Sequence, residues 1–530
     1  MTQRQSWWRN TIFSLSLLSL TELFVLASLQ TSTSPEEVLQ QIQQLLQRGQ
    51  SSAARGQLAD ALSQFPNEPN LHNFLGVLEA QQGNSDAAES SFKKAVSLAP
   101  RLGSAYLNLG RLYQQQAPTN PKALEKGLQI YERLLQFQPA NLEAQYQRAV
   151  LLQQLGHFKL SLMQLSRLPA EAQQRAQAVA VRCASHIALE ELLPASQCVQ
   201  RLLAASDLQE DDALALLSFS KQPPAPSLRK ELLEGLRQRG LASSASLRQL
   251  ALLYEEEKQL KQAREVLEKA AQGSSNLVEL LLDLARIAHK QRDHQGALGY
   301  LAHARDLEPK NAAIHFFFGM VCIDSELVLE ARKSLKEAVS LNPDNVYYNY
   351  ALGSVLLQDR DPSLAIPYFQ RYCQLKPDDP RGRFSLGTAY FYSADYSKAR
   401  KELDSAAGHP ETAAGAHYFL ARVAKQEDKL DEAFAHLQQS LKANPNHAEA
   451  HAELGLVHIR NREFSKAEQE LQLALRLDPE SYLANLNLLN LFQRTRDPRS
   501  EEQAQRFEMI KKKRSERQQA LLRTIEVRPY

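Results

Sequence analysis

Residues 385–399 read Ser385-Leu386-Gly387-Thr388-Ala389-Tyr390-Phe391-Tyr392-Ser393-Ala394-Asp395-Tyr396-Ser397-Lys398-Ala399. A glycine lies inside an amphipathic stretch, the cluster Ser393-Ala394-Asp395 interrupts it, and an alanine follows twelve residues after the glycine. Two antiparallel helices joined by a short turn approach closely only where both present small side chains. The stretch therefore predicts a helical hairpin whose helices cross at Gly387 and Ala399.

The same pattern recurs with a period of 34 residues. Forward and back from Gly387 the small site falls on Gly319, Gly353, Ala421 and Gly455, then on Ala285, Ala251, Leu217, Cys183 and Ala149. A five-residue insertion around Pro118 to Pro121 separates Ala149 from Gly110, and the step resumes at Gly76 and Ile42. The alanine twelve residues on recurs as Ala54, Ala88, Ala195, Ala263, Ala297, Ala331, Ala365, Ala433 and Ala467. Phe92, Leu267, Leu335, Phe369 and Leu471, four residues later again, are expected to fill the gap toward the next hairpin. Pro309, Pro343, Pro377, Pro445 and Pro479 keep the same clock, with Pro410 one residue early, and Pro66 and Pro100 are also one period apart. A proline at each unit's end starts or stops a helix without needing a backbone donor. A fixed period of this length means stacked copies of one supersecondary unit.

Stretches such as Leu107-Asn108-Leu109-Gly110-Arg111-Leu112-Tyr113 and Ser385 to Tyr390, with the alanine and terminal proline, resemble the signature of the tetratricopeptide repeat. The resemblance covers residues 36–492. It implies an all-α, right-handed superhelical solenoid of about fourteen helix-turn-helix units, whose first helices line a concave face suited to an extended peptide or a helix. Two units depart from the pattern. The one around Leu217 has Arg229 at the alanine site and contains Pro223-Pro224-Ala225-Pro226; the last, around Leu489, has Glu501 there and is read as a terminal cap with a polar outer face.

On the groove-facing positions that the resemblance assigns lie Phe316, Tyr347, Tyr350, Phe384, Phe391, Tyr392 and Tyr418, with Arg381, Arg422 and Lys425 among them. Exposed aromatics bury large area at low entropic cost, and the cations suit a carboxylate or phosphate or stack on the rings. The competing reading is that the rings pack between neighbouring first helices. Asn73 and Asn108 lack the lysines that accompany such asparagines in the family's carboxylate-binding members, so a chaperone adaptor of that kind is not expected.

Composition excludes several other classes. The 530 residues are 43% hydrophobic and 23% charged, too apolar for disorder, and 20 glycines with 23 prolines are too few for collagen-like or turn-dense all-β chains. With 62 basic and 60 acidic residues the chain has no overall field for nucleic acid, and no nucleic-acid partner is expected. There is no phosphate-cradling glycine loop, nucleophile elbow or supported carboxylate pair, so neither an enzyme nor a cofactor is expected. His447, His451 and His458 have a spacing that can share a metal, but the intervening His-Ala-Glu-Ala-His misplaces the glutamate of a metalloprotease, and they are read as packing residues. His289, His294 and His303 are read as scattered on polar faces. Four cysteines form no framework; Cys183 and Cys198, on facing helices, are read as buried small residues in preference to a disulfide.

At the N-terminus Arg4 and Arg9 precede the apolar run Ile12 to Leu29, and Val25-Leu26-Ala27 before Ser28 offers a cleavage site. Residues 1–27 are read as a signal peptide, which implies a periplasmic or extracellular protein; the alternative is a membrane anchor through residues 12–29. Residues 28–35 form a linker, 36–168 the first repeats, 169–245 degenerate repeats, 246–492 the C-terminal array and 493–530 a basic helix. That helix region carries 11 basic and 6 acidic residues from Arg494 on, including Lys511-Lys512-Lys513-Arg514, and Ser500 with Gln503 is expected to form its capping box. The expected function is capture of a protein or peptide segment, with an envelope spacer between membrane anchor and basic contact as the alternative.

Overall fold

The computed structural model describes residues 34–523 except 49, 119 and 220–225. The signal-peptide or anchor segment and the Pro223-Pro224-Ala225 turn lie outside the described residues. Those residues contain 29 helices and no strand, so the chain is all-α. In chain order the helices pair as fourteen hairpins, with one extra short helix, Ala170–Gln174, that the repeat register does not foresee. They fall into two compact units, meeting in sequence at Leu250 and Ala251.

In both units the crossing point of a hairpin is set by two small residues. Ala54, Ala88, Ala297, Ala331, Ala365, Ala399 and Ala467 are wholly buried. A Cβ built on Gly76 would lie 2.5 Å from the ring of Phe92, and one on Gly353 would lie 2.8 Å from Phe369. The same holds for Gly319 against Leu335, Gly387 against Leu403 and Gly455 against Leu471. This corrects the expected direction of the large residue: it folds back over the small site of its own hairpin. The geometry follows from helical spacing, because the residue four after the alanine stands one turn further along the same face.

The turn between the two helices is equally regular. Gly83, Gly156, Glu190, Lys258, Arg292, Glu326, Arg360, Ala394, Asp428, Arg462 and Arg496 all have positive φ, and each stands seven residues after the small site. At Ala394 the amide donates to the Phe391 carbonyl at 3.0 Å, and Asp395 donates to the Tyr390 carbonyl at 3.0 Å. This is the Schellman pattern, in which a left-handed residue lets two otherwise orphaned helix carbonyls be satisfied by the turn itself.

At the other end of the unit the proline carbonyl is tied down by the side chain six residues on. His315 Nε2 lies 2.8 Å from the Pro309 oxygen, Asn349 donates to Pro343 at 2.7 Å, and His451 Nε2 lies 2.9 Å from Pro445. Tyr106 and Gln145 do the same at Pro100 and Pro139.

In the first unit the insertion lengthens the second helix, Lys122–Phe137, so that Tyr131 covers Gly110. Ser161 takes the alanine site of the next hairpin and donates to the Ala149 carbonyl at 2.7 Å, which removes the cost of burying its hydroxyl. Cys183 and Cys198 are joined as a disulfide with their Cα atoms 5.3 Å apart, a correction to the reading of two unlinked buried thiols. Cys183 occupies the small site, so the hairpin crossing brings the facing helix within bonding range. In the second unit Arg264, Arg332 and Arg400, each 68 residues apart, reach the acidic turn of the following hairpin at Asp293, at Asp359 and Asp361, and at Glu427. These pairs are partly exposed and fix register more than they add stability.

The last helix runs Ser500–Arg523, 24 residues, and packs Phe507 against the Tyr482 ring with centroids 4.9 Å apart. The expected capping box is not formed. Gln503 turns inward instead and donates to the Asn485 carbonyl and side chain, both at 3.1 Å. A buried polar pair outweighs a solvent-exposed cap.

Candidate partner-binding face

The ten residues singled out from the sequence lie on the first helices Ala312–Asp324, Val346–Gln358, Pro380–Tyr392 and Ala413–Gln426 of successive hairpins, all within the second unit. Local signals start these helices. Asn345 accepts from the amides of Tyr347 and Tyr348, and Asp379 accepts from Arg381 with Pro380 in the first turn. Residues about one period apart then stand side by side on adjacent first helices, as where Ser385 donates to the Tyr350 hydroxyl at 3.4 Å.

The structure divides the ten. Tyr347 and Tyr392 are the exposed rings, at 65% and 51%. Lys376 Nζ stands 5.6 Å from the centre of the Tyr347 ring. Phe391 is buried. Phe316, Tyr350, Phe384 and Tyr418 are half-buried and pack: Phe316 stacks on Tyr348 at 4.7 Å, Tyr350 meets Tyr372 at 4.9 Å, and Tyr418 tilts over His447 at 5.0 Å. Phe384 lies where a side chain on Gly415 would be, 2.8 Å from that Cβ position, so the glycine admits the ring from the preceding hairpin.

Arg381 is exposed and donates through two of its nitrogens to Asp379. That contact, with a hydrogen bond from Tyr372, holds the Asp379 carboxyl well below the usual carboxylate range. Lys425 pairs with the nearly buried Glu453 at 2.5 Å. Arg422 has a different setting. Its guanidinium carbon lies 4.5 Å from the centre of Phe391, 5.4 Å from Phe419 and 5.6 Å from both Tyr392 and Tyr418. One nitrogen reaches the Tyr392 hydroxyl at 3.4 Å. Burial pushes the Tyr418 phenol up.

Five of the named residues meet in one place: Phe391, Tyr392, Tyr418, Arg422 and, through Phe419, Phe384. Phe419 was missed. It touches Phe384, Phe391, Tyr392 and Tyr418 and is the hub of the cluster. The only signal for it was its place in the pair Tyr418-Phe419. Tyr347, with Phe316 and Tyr350, stands on the two hairpins before.

Elsewhere the polar residues have structural work. His451 lies 2.6 Å from Glu470 as well as against Pro445, and His458 lies 2.5 Å from Glu463. His289 and His294 come together with ring centres 5.5 Å apart, which their scattered look in sequence did not suggest. Among the described residues no group of three histidine, cysteine or acidic side chains is arranged to hold a metal. None of the described helices is long and apolar enough to cross a membrane. Asn73 and Asn108 bond to each other at 3.0 Å, which occupies that pair on the first helices of the first unit. In the last helix Lys511 pairs with Glu508, Lys513 with Glu480, and Arg514 stacks on Tyr482.

A tetratricopeptide repeat family model matches residues 39–105 and 323–380, and a second matches 424–487. The model for anaphase-promoting complex, cyclosome, subunit 3 matches residues 359–440. Among curated proteins, the anaphase-promoting complex subunit 3 of Schizosaccharomyces pombe is 26% identical over 195 residues, which are 37% of this chain and 29% of that relative. The chain thus spans under a third of that relative's length. Among solved structures, the APC/C hetero-tetramer Cut9-Hcn1 is 14% identical, covering 87% of this chain and 97% of that one, with a TM-score of 0.38. A tetratricopeptide repeat protein from Parabacteroides merdae is 16% identical, covering 47% of this chain and 98% of that one, with a TM-score of 0.39. The repeated small-site crossing, its left-handed turn and the matching family models identify the chain as a tetratricopeptide-repeat protein.

Proposed function

We propose that this chain is a non-enzymatic interaction scaffold that holds a peptide or helical segment of a partner protein against the first-helix face running from Phe316 to Lys425. One observation carries the reading: Tyr347 and Tyr392 stay exposed on first helices whose other rings are packed, with a half-buried arginine beside Tyr392. Exposed tyrosines next to a desolvated cation are the composition of binding hot spots. The resemblance to a subunit of a multiprotein complex supports a scaffold role for the repeat array. Export belongs to the same proposal. The Cys183–Cys198 pairing supports it, because disulfides persist in oxidising compartments, as does the apolar segment that follows Arg9.

The test is an affinity capture from the native host with the intact chain and with the Tyr347→Ala/Tyr392→Ala double variant, both checked by circular dichroism. Both rings are more exposed than buried, so the variant is expected to keep the parent's helical signal. Loss of captured partners supports the proposal. Capture unchanged by the double variant refutes it and leaves the spacer reading, in which the helices only separate two ends of the chain.

A further inference from the structure

On the two first helices that build the aromatic cluster, Pro380–Tyr392 and Ala413–Gln426, there are four cations, and three have carboxylate partners. Arg381 is held by Asp379, Arg383 donates to Glu402 at 2.9 Å, and Lys425 is paired with Glu453. Arg422 forms no ion pair among the described residues, although it is the most enclosed by rings. Glu453 is the carboxylate that acts on it through space, and that side chain is engaged by Lys425.

A guanidinium has five N–H donors in a planar fork. Stacking over Phe391 uses its face, and one long bond to Tyr392 uses one edge. Among the described residues the remaining donors have no protein oxygen to meet, and burial among the rings has removed part of the guanidinium's water. Such a group gains most from a planar, bidentate anion that brings apolar surface with it. Phe419 and the exposed face of Tyr392 supply the wall for that apolar part.

We propose that Arg422 reads a carboxylate flanked by an aromatic or aliphatic side chain in the bound segment. The proposal rests on the binding reading above and names the chemistry of its central contact. It involves no lysine–asparagine constellation: a single arginine on an aromatic floor accepts either a chain-terminal carboxylate or an aspartate or glutamate side chain.

Three peptides separate the possibilities: acetyl-Ala-Leu-Phe with a free C-terminus, the same peptide as its C-terminal amide, and acetyl-Glu-Leu-Phe amide. Binding to the full chain is followed by calorimetry and by the Arg422 Nε resonance. At least one carboxylate-bearing peptide is expected to bind about tenfold or more tightly than the neutral amide, and added salt should narrow the gap. Which peptide gains identifies the source of the carboxylate. Arg422→Gln should bring all three to the amide's level, whereas Arg422→Lys, which keeps the charge but not the fork, should retain part of the preference. Should Arg422→Gln alter the melting profile, the lysine variant alone decides. Equal binding of all three peptides, no binding of any, or a preference that survives Arg422→Gln overturns the inference. If host capture still depends on Tyr347 and Tyr392 in that case, the scaffold reading stands. Peptide discrimination without any effect of the two tyrosines on capture would refute the scaffold reading instead.

Discussion

Gly353→Ala adds one methyl group at a hairpin crossing, and the structure fixes both terms of its effect. The new Cβ would lie 2.8 Å from Phe369 Cε1 and 3.0 Å from Cδ1 and Cζ. Favourable carbon contacts begin near about 3.5 Å, so the ring has to retreat by roughly half an ångström or more. Phe369 has no room to do so: it is 1% exposed and its ring meets Tyr350 edge-on at 5.9 Å. Overpacking of this kind costs about 1–3 kcal/mol, against about 1 kcal/mol gained by replacing a helical glycine with alanine. The net expectation is a loss of about 1 kcal/mol, rising to about 2–3 kcal/mol for Gly353→Leu. Gly299, also inside a helix of the second unit, has nothing within 4 Å of its Cβ position, and Gly299→Ala should stabilise by about 0.5–1 kcal/mol. The same substitution therefore changes sign between two helical glycines. Repeat stacks need not unfold in two states, so the assay is native-state hydrogen exchange of helices Val346–Gln358 and Pro362–Leu375 and of His294–Leu307. Phe369→Leu in the Gly353→Ala background should show a coupling of about 0.5 kcal/mol or more, because the smaller side chain relieves the contact. A Gly353→Ala protein as stable as the parent would refute the assigned crossing.

Ala394 sits at φ 60° without a side chain that bonds elsewhere, so Ala394→Gly should remove a left-handed penalty of about 1–2 kcal/mol and lose part of it to unfolded-state entropy. A net gain of about 0.5 kcal/mol in the exchange of Tyr396–Ala407 amides is expected, and a loss would count against the Schellman assignment. The Cys183–Cys198 bond closes a separation of 15 residues, worth about 3 kcal/mol in the chain-entropy model. Dithiothreitol should accelerate exchange in Ala176–Ala188 and Leu192–Ala204 of the parent and leave Cys198→Ser unchanged. His417 and His436 meet with Nδ1 atoms 3.1 Å apart, and burial, with the repulsion between the two rings, holds the His417 value below the ordinary histidine range; burial does the same for His436. The unfolded chain then binds more protons as pH falls below about 6.5, so stability is retained above that value and lost below it. The opening free energy of Ala413–Gln426 and Leu430–Ala443, taken from exchange rates divided by the intrinsic rate at each pH, should fall between about pH 7.5 and about pH 5.5, and His417→Gln/His436→Gln should flatten that dependence.

The repeat was legible because its period is a steric requirement. Where two helices touch, a large side chain is forbidden, so Gly319, Gly353, Gly387 and Gly455 had to be small whatever the rest of the unit became. The turn itself was legible at Ser393-Ala394-Asp395, but its left-handed conformation was not, for the opposite reason. Its left-handed residue is satisfied by backbone hydrogen bonds, and the sequence places Glu190, Lys258, Arg292 and Asp428 there in place of the glycine that usually signals it. Gln503 misled for a related cause: the pairing of a cap is local, but its competitor, Asn485, comes from the preceding helix. The cysteine pair could not be decided from spacing alone, since facing positions in a hairpin allow contact without saying which rotamers the crossing selects.

The candidate face shows where periodicity stops being informative. A 34-residue step puts equivalent residues on adjacent first helices, so a ring at such a position has both a neighbour and a solvent side, and the sequence does not distinguish them. Phe316, Tyr350, Phe384 and Tyr418 are drawn toward their neighbours, and the recognition proposed above therefore falls to Tyr347, Tyr392 and Arg422. Because each hairpin is stabilised by its neighbours, a segment bound across hairpins 346–375, 380–407 and 413–443 also stabilises the contacts between them. Free ligand at about a hundred times its dissociation constant contributes about 2.7 kcal/mol to the state that binds it. In a stack of near-independent interfaces that amount is local, and it is comparable to what one hairpin crossing is expected to lose in Gly353→Leu. Partner capture should therefore register first as slowed exchange in these three hairpins, before any change in the melting of the whole chain.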